Sequence, residues 1–315
     1  TAPKSAADKS FKVIFYSDPQ SESVENYMSF KDSIDQALKI CPTPEFIMSG
    51  GDTTQDGYKA TEWEACFEVM GDYFASIPTI TVPGNHEMKG DWNFVSFAQR
   101  FNMSGAKTGY PQFDRTMGYF EYGDAIFVIL NGEVTPADKK AEIMKKELQW
   151  CKSVLDASDK KWRIVMTHAG PYTSNHDPLD VRDYYINDSE YSLDAMGVDL
   201  FLNGHDHIYI RSTVKNDIKV NTGDGTTYLT GGTVGNKFYE YIPARSDYST
   251  DFYTDEEDKQ VFSIIEFSED SIKGTAYQKQ DADNWNSFKA VDSYEIRNTL
   301  REGKSVTDYT DVPAN

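Results

Sequence analysis

The stretch Phe11-Lys12-Val13-Ile14-Phe15-Tyr16-Ser17-Asp18-Pro19-Gln20 joins a short apolar run to a polar segment. The run from Phe11 to Tyr16 is rich in β-branched and aromatic side chains, which is typical of a buried strand. The polar segment from Ser17 to Gln20 contains a proline, which ends regular structure. This stretch therefore predicts a buried strand that leads into a loop carrying a carboxylate.

The same pattern occurs four more times along the chain. The other short apolar runs that end at polar loops are Phe46–Met48, Thr79–Val82, Arg163–Met166 and Asp199–Leu202. Between the runs lie segments with helical periodicity, from Val24 to Leu38, from Trp63 to Ile77, and, after Pro136, from Met144 to Leu155. Strands that alternate with helices indicate an α/β fold.

Two candidate hairpins add antiparallel strands to this pattern. They are Met117–Tyr122 with Ala125–Leu130, and Val261–Phe267 with Ser271–Tyr277. The chain thus combines strands joined through helices with strands joined by hairpins. This combination predicts a sandwich of two mixed β-sheets flanked by helices. We expect residues 11–315 to form a single domain, preceded by a tail or linker at 1–10.

The later part of the chain is less regular. Turn residues and the acidic run Asp255–Asp258 favour a surface loop from Asn216 to Asp258. We expect the stretch from about Lys237 onwards to complete the second sheet.

Composition excludes several classes of function. The chain has 315 residues, and 51 acidic against 31 basic side chains give a net charge of −20. Such a charge repels phosphate backbones, so we expect no nucleic-acid patch. The longest apolar run, Ala125 to Leu130, is far below the ~20 residues of a membrane span. The start at Thr1 without a methionine favours an exported protein, extracellular, periplasmic or at the cell surface, and the oligomeric state stays open.

The three cysteines do not form a complete disulfide framework, because their number is odd. Cys66 and Cys151 fall on the apolar faces of two predicted helices, so we expect them in the core.

Each of the five predicted strands is followed by side chains that bind metals. These segments are Ser17–Gln20, Gly51-Asp52, Gly84–Glu87, Thr167-His168 and Gly204–His207. The chain has five histidines, and four of them lie in these short segments. Functional groups of open α/β sheets gather beyond the carboxyl ends of the strands, so we expect the five segments to converge.

The donor types predict the kind of metal. Carboxylate, amide oxygen and imidazole together suit zinc, manganese or iron, and no cysteine is available for a structural zinc. Seven candidate ligands exceed the needs of one tetrahedral ion and suit two ions, with Asp52 as the natural bridge. The candidate ligands are Asp18, Gln20, Asp52, Asn85, His168, His205 and His207.

The motifs D-P-Q, G-D, G-N-H-E, V-x-x-H and G-H-x-H, in this order, resemble those of the calcineurin-like metallophosphoesterase superfamily. The stretch 204–211, followed by 228–235, is more particularly similar to purple acid phosphatases. The resemblance implies a four-layer fold and two metal ions. It assigns Asp18, Asp52 and His207 to one ion, and Asp52, Asn85, His168 and His205 to the other. It also implies that His86 lies beside the phosphoryl group, and we expect Glu87 to hold the second nitrogen of that imidazole.

Two positions depart from the family pattern. Purple acid phosphatases have a tyrosinate ligand three residues after the bridging aspartate, where this chain has Gln55, and Tyr58 is out of register. A ferric tyrosinate centre is therefore not predicted. The wider superfamily has histidine at position 20, where Gln20 either ligates through its amide oxygen or leaves its place to water.

Four further positions have two readings each. His176 is either an exposed loop residue or a catalytic histidine that faces the leaving group. Asp206 either points away from the metals or orients an imidazole. Tyr209 and Arg211 match family positions that we expect to be structural or to support the ligands.

The resemblance implies hydrolysis of a small phosphorylated substrate. Two divalent ions bring about +4 of charge against −2 from Asp18 and Asp52, and metal coordination makes water an effective nucleophile. We expect a phosphomonoesterase in which His86 assists departure of the alcohol. The alternatives are a phosphodiesterase on the same core and a non-catalytic binding module in which metals staple the loops.

Overall fold

The computed structural model describes residues 10–101, 103, 105–133, 139–176, 179–188, 190–220, 225–243, 250–254, 259–298 and 304–308. The helices are α1 (Val24–Ile40), α2 (Ala60–Ser76), α3 (Asn85–Met88), α4 (Val95–Arg100), α5 (Pro111–Asp114), α6 (Lys140–Ala157) and α7 (Leu179–Tyr185). The expected tail up to residue 9, Pro136 and the acidic run at 255–258 lie outside the described residues.

Strands run through the whole described chain. They are β1 (Phe11–Tyr16), β2 (Phe46–Ser49), β3 (Thr79–Thr81), β4 (Gly118–Tyr122), β5 (Ala125–Ile129), β6 (Trp162–Met166), β7 (Leu200–Asn203), β8 (Tyr209–Lys215), β9 (Ile218–Lys219), β10 (Thr226–Gly231), β11 (Thr250–Tyr253), β12 (Val261–Phe267), β13 (Ser271–Gln278), β14 (Lys289–Asn298) and β15 (Lys304–Asp308). All five strands that we expected to precede the metal-binding segments are present, and their observed ends differ from the predicted ends by at most one residue.

The strands form two mixed sheets, as predicted. The first sheet has the order β15-β14-β13-β12-β1-β2-β3, and the second has the order β11-β8-β10-β7-β6-β5-β4, with β9 paired to β8. In the first sheet β1, β2 and β3 are parallel, and in the second β5, β6, β7 and β10 are parallel. Both predicted hairpins pair antiparallel, β4 with β5 and β12 with β13.

The alternation of side chains along each strand builds four layers. In β1, Val13 and Phe15 pack in the core between the sheets with Phe127 of β5. The intervening residues Ile14 and Tyr16 pack on the other face of the first sheet under α1 and α2. The outer face of the second sheet packs in the same way against α6 and α7. Both faces of each central strand are therefore buried, which explains their nearly continuous apolar runs.

Helix α1 shows how the sequence sets an element. The hydroxyl of Ser23 accepts a hydrogen bond from the backbone N–H of Asn26 at 3.3 Å and so caps the first turn. The buried positions Tyr27, Phe30 and Ile34 recur at helical spacing and face the first sheet. Cys66 of α2 and Cys151 of α6 are buried, as expected, and both are free thiols.

The predicted surface loop from Asn216 to Asp258 is wrong for its middle part. Residues Thr226–Gly231 form β10, which is buried along its whole length between β7 and β8. Threonine fits a strand because it is β-branched, and its hydroxyl needs a partner when buried. The hydroxyl of Thr226 donates to the carbonyl oxygen of Val198 at 2.9 Å.

The end of the chain divides between the sheets. Only β11 joins the second sheet, whereas β12 pairs with β1 and carries β13, β14 and β15 into the first sheet. The expectation that the stretch from Lys237 onwards completes the second sheet is therefore wrong for most of it. Among the described residues, no helix has both the length and the apolar character needed to cross a bilayer.

Candidate metal centre

The loops after β1, β2 and β3 meet the loops after β6 and β7 across the sandwich. The backbone N–H of His205 donates to both oxygens of Asp18, at 3.1 and 3.0 Å. The ring Nδ1 of His168 lies 2.7 Å from the carbonyl oxygen of Gly50. The convergence predicted from the sequence is therefore present, and it joins the two sheets at one site.

The first donor group contains Asp18, Asp52 and His207, all buried, whose ligand atoms lie within 4.8 Å of one another. The Nδ1 of His207 lies 2.6 Å from the carbonyl oxygen of Lys237, which assigns its proton to that nitrogen. The Nε2 lone pair then points into the group, 3.4 Å from Asp18 Oδ1. Gln20 borders this group, with its amide Nε2 3.1 Å from His207 Nε2.

The second donor group contains Asp52, His168 and His205, again with all ligand atoms within 4.8 Å. Because Nδ1 of His168 donates to Gly50, its Nε2 is an acceptor. That nitrogen lies 3.1 Å from Asp52 Oδ2, from Asn85 Oδ1 and from His205 Nδ1. Acceptor atoms this close repel one another unless a proton or a cation lies among them. The donor set therefore fits a cation.

The backbone at the site is strained. Asp18, Asp52, His205 and His207 have φ angles of 53°, 53°, 73° and 52°, in the left-handed region that non-glycine residues rarely adopt. Each such residue costs of order 1–3 kcal/mol, and such residues cluster at functional sites. Gly84 is required by close approach, because a Cβ there would lie 2.1 Å from Asp52 Oδ1.

The electrostatics keep most of the donors in the form that binds metals. Burial lowers the pKa of His207 to about 3 and that of His205 well below its usual value, so both imidazoles are neutral. Burial raises the pKa of Asp52, but the charge and hydrogen bond of His168 outweigh it and hold the pKa below the usual range. The charge of Asp52 in turn raises the pKa of His168 against the effect of burial, so without metal a proton lies between the two, and a bound cation would replace it. Burial raises the pKa of Asp18 to about 8, a cost that a bound cation relieves.

His86 lies next to the second donor group, with Nε2 3.9 Å from Asp52 Oδ2. Its backbone N–H donates to Asp52 Oδ1 at 2.9 Å, and its Nδ1 lies 2.6 Å from the carbonyl oxygen of Gln55. The nitrogen that we expected Glu87 to hold is therefore held by a backbone carbonyl. Burial lowers the pKa of His86.

Glu87 acts on the backbone instead. Its two oxygens accept hydrogen bonds from the N–H groups of Asp52, Thr53, Thr54 and Gly84, at 2.6 to 3.1 Å. A fully buried carboxylate needs such partners, because an unpaired charge is costly inside a protein. Glu87 therefore ties the loop after β2 to the loop after β3. The expected contact of Glu87 with the imidazole of His86 is wrong.

His176 is brought to the site by Asp206. The fully buried carboxylate of Asp206 accepts the N–H groups of Asn175 and His176 at 3.0 and 2.9 Å, and its Oδ1 lies 3.1 Å from His176 Nδ1. The ring of His176 packs against that of His205, with centroids 3.8 Å apart. Of the two readings for Asp206, it orients an imidazole, and that imidazole is His176.

The sequence analysis missed two side chains at the site. The ring of Tyr239 lies 4.5 Å from that of His207 and 5.2 Å from that of His176, between centroids. Lys89 Nζ lies 2.8 Å from His86 Nδ1. Lys89 follows His86 by three residues, a spacing that places neighbours on one face of a helical turn. No signal pointed to Tyr239, because it belongs to the segment interpreted as surface.

Tyr58 and the pair Tyr209 and Arg211 lie away from the donors. Tyr58 is 56% exposed, so it does not replace the family tyrosinate. The hydroxyl of Tyr209 and the guanidinium of Arg211 donate to the buried Asp292, at 2.8 Å each. Of the two roles expected for these residues, the contacts support the structural one.

The calcineurin-like phosphoesterase family model matches residues 11–209. That range starts with β1, ends at the first residue of β8 and contains every predicted ligand. The chain belongs to the calcineurin-like phosphoesterase family. The family implies a dinuclear metal centre, and the two donor groups that share Asp52 are able to bind metal.

Curated relatives are phosphatases by name. The chain is 28% identical over 200 residues to purple acid phosphatase 18 of Arabidopsis thaliana, a match covering 59% of this chain and 43% of that protein. It is 29% identical over 154 residues to acid phosphatase type 7 of Homo sapiens, covering 44% and 33%. The chain thus matches less than half the length of each of these relatives.

Solved structures share the fold. Purple acid phosphatase PPD1 from yellow lupin (Lupinus luteus) superposes with a TM-score of 0.71 at 15% identity, over 95% of this chain and 56% of that one. GAP50, the anchor in the inner membrane complex of Plasmodium, superposes with a TM-score of 0.65 at 17% identity, over 94% and 91%. These likenesses confirm the predicted four-layer sandwich and extend no further than the fold.

Proposed function

We propose that this chain is a metal-dependent phosphomonoesterase that holds two cations in the donor groups sharing Asp52. The observation that carries the proposal is this shared, buried carboxylate, which belongs to both groups of ligand atoms within 4.8 Å. A carboxylate common to two donor groups is what a bridged pair of ions requires. The names of the curated relatives, purple acid phosphatase and acid phosphatase, support the same class of reaction.

The proposal assigns the ligands by group. Asp18, Asp52 and His207 would hold one ion, and Asp52, Asn85, His168 and His205 the other. Zinc, manganese and iron suit this mixture of oxygen and imidazole donors. Gln20 donates to His207 through its amide, and ligation by its oxygen stays a prediction.

When bound, the two cations would supply positive charge for the phosphoryl oxygens and an activated water. The protein residues supply orientation and proton transfer. His86 is anchored through Nδ1 by the carbonyl of Gln55, so Nε2 is the atom at which it holds or releases a proton. His176, fixed through Nδ1 by Asp206, presents its Nε2 in the same way. We propose both as catalytic residues and Glu87 as a positioning residue.

The test compares two chromogenic esters on protein loaded with zinc, manganese or iron. We expect kcat/KM for 4-nitrophenyl phosphate to exceed that for bis(4-nitrophenyl) phosphate by at least about tenfold. We expect His86→Ala to lower kcat for the monoester by about 10²–10⁴-fold while the metal content stays the same.

Other outcomes would change the assignment. Faster turnover of the diester would make the chain a phosphodiesterase. Hydrolysis of neither ester, with any of these metals and across acid to alkaline pH, would favour a metal-stapled binding module. Loss of metal from His86→Ala would show that His86 is a ligand.

Export of the chain stays a prediction.

A further inference from the structure

Lys89 is fixed beside the histidine that we place next to the phosphoryl group. Its backbone N–H donates to the carbonyl oxygen of His86 at 3.2 Å, and its own carbonyl accepts the N–H of Tyr58 at 3.3 Å. Its ammonium lies against the His86 ring, 2.8 Å from Nδ1 and 3.3 Å from Nε2, the nitrogen that can accept, and 3.4 Å from the carbonyl oxygen of Gln55. The backbone on both sides thus holds this cation at the catalytic pocket.

The positive charge of Lys89 is not neutralised locally. Of the acidic side chains that act on it, Asp56 and Glu62 are paired with Lys59 at 2.5 and 3.0 Å, and Asp52 is shared by the two donor groups. Among the described residues, Lys89 forms no ion pair with a carboxylate. An ammonium group has three donors, and its two neighbours here are a carbonyl and an imidazole. Lys89 therefore retains the capacity to bind an anion.

Lys237 lies beside His207 of the first donor group. Its carbonyl accepts Nδ1 of His207, and its ammonium lies 5.2 Å from the centroid of the Tyr239 ring, which packs against His207. Within the described ranges, Lys237 also has no carboxylate partner. Burial lowers the pKa of Lys89, the charges of Asp56 and Asp52 oppose that shift, and the charge of Lys237 adds to it.

We propose that Lys89 and Lys237 bind a second anionic group of the substrate, a carboxylate or a second phosphate, next to the phosphoryl group that is hydrolysed. The inference rests on the proposed function. A chain with a net charge of −20 repels such a multiply charged ester at long range. Two unpaired lysines flanking the site reverse that sign locally. The preferred substrate class is therefore a phosphate ester that carries another anion close to the ester.

The test uses three aryl esters that differ in the second charged group on the ring: phenyl phosphate, 4-carboxyphenyl phosphate and 1,4-phenylene bisphosphate. The quantity measured is the ratio of kcat/KM for each charged ester to that for phenyl phosphate, on metal-loaded protein. We expect Lys89→Gln and Lys237→Gln each to lower this ratio about fivefold to tenfold, as loss of one charge-assisted contact predicts. Lys145→Gln, an exposed lysine of α6, is the matched control.

A ratio within twofold of that of the unsubstituted protein in both variants, even with a lower overall rate, would overturn the proposal. A ratio that falls only for the carboxylate, or only for the bisphosphate, supports it and identifies the second anion.

A binding measurement tests this inference independently of the proposed function. Calorimetry on the metal-loaded protein compares inorganic phosphate with phosphonoacetate, which adds one carboxylate and has no ester bond to hydrolyse. We expect Lys89→Gln to weaken phosphonoacetate binding about fivefold or more relative to phosphate. Equal changes for both ligands would contradict the subsite. If no ester is hydrolysed, the proposed function fails, and this binding comparison alone decides the subsite.

Discussion

Asp206 connects a metal-ligand motif to a separate loop. It stands between His205 and His207 in the chain, yet its carboxylate points to the backbone of Asn175 and His176. Its position in the G-H-x-H motif therefore serves the placement of His176 beside His205. The local sequence could not show this, because the partner loop lies 30 residues earlier in the chain.

Replacing Asp206 by Asn is expected to release His176. An amide oxygen is a weaker acceptor than a carboxylate for several N–H groups, so the loop would lose its fixed position. We predict that kcat/KM for an aryl phosphate falls about tenfold or more with metal content unchanged. His176→Ala should show a similar loss, and the double variant no further loss. Losses that multiply in the double variant would contradict the coupling.

Glu147 gives a pH dependence that is separate from the metal site. It is fully buried in α6 and accepts the N–H of Gly132 at 3.2 Å, and burial raises its pKa to about 8. The folded state therefore holds this proton more tightly than the unfolded chain. It follows that the free energy of unfolding decreases as pH rises through the interval up to about pH 8.

Glu147→Gln removes this titration. We predict that the variant gains stability relative to the unsubstituted protein between about pH 5 and about pH 9, on the order of 2–4 kcal/mol. Chemical denaturation at several pH values measures the difference, and Glu68→Gln, at an exposed position of α2, is the control. A difference that does not change with pH would mean that Glu147 is ionised throughout.

At the scale of elements, the segment from Asp52 to Tyr58 packs directly on α3. The carboxylate of Glu87 accepts hydrogen bonds from backbone N–H groups of this segment, and the N–H of Gly57 donates to the carbonyl of His86 at 2.9 Å. A Cβ on Gly57 would lie 1.9 Å from the carbonyl oxygen of Glu87. The two loops that carry Asp52 and His86 can therefore approach only if residue 57 is glycine.

Gly57→Ala is expected to force these loops apart. Overpacking against rigid backbone costs about 1–3 kcal/mol, and the shift would also move Asp52. We predict a lower melting temperature together with weaker metal binding. Gly71→Ala is the matched control, because a Cβ there meets nothing within 4 Å and alanine favours a helix by about 0.5–1 kcal/mol. Unchanged metal affinity in Gly57→Ala would contradict the account of the packing.

Secondary structure could be predicted where the apolar pattern was dense. Strands β1 and β12 were predicted at their observed bounds, because both faces of each are buried in apolar surroundings. Strand β10 was missed because three of its six residues are threonine, and the partners of the Thr226 and Thr230 hydroxyls, such as Val198 and Asn203, lie in other segments. The pattern of a single segment does not contain that information.

At the scale of the whole molecule, the sheets are joined by charge as well as by apolar packing. Arg211 of β8 and Asp292 of β14 are fully buried and paired at 2.8 Å, and Asp251 of β11 lies 3.4 Å from the same guanidinium. The pair connects the second sheet to the first directly behind the G-H-x-H loop. Removing one partner of such a pair is strongly destabilising, because the other charge is left buried.

The composition of the site was predictable, whereas its support was not. The donors belong to five segments whose residue types already indicated a metal. The contacts that hold them are long-range and reach carbonyl oxygens, such as Gly50 for His168 and Lys237 for His207. Any residue provides a carbonyl, so no side-chain pattern marks these positions.

The central claim is that one carboxylate, Asp52, serves two cations. Elemental analysis of protein saturated with metal and freed of excess measures this most directly, with Asp52→Ala compared to Asn85→Ala. We predict about two ions per chain for the unsubstituted protein, about one for Asn85→Ala and well below one for Asp52→Ala, with folded circular dichroism spectra throughout. A single ion per chain in the unsubstituted protein, or two ions retained by folded Asp52→Ala, would contradict the account.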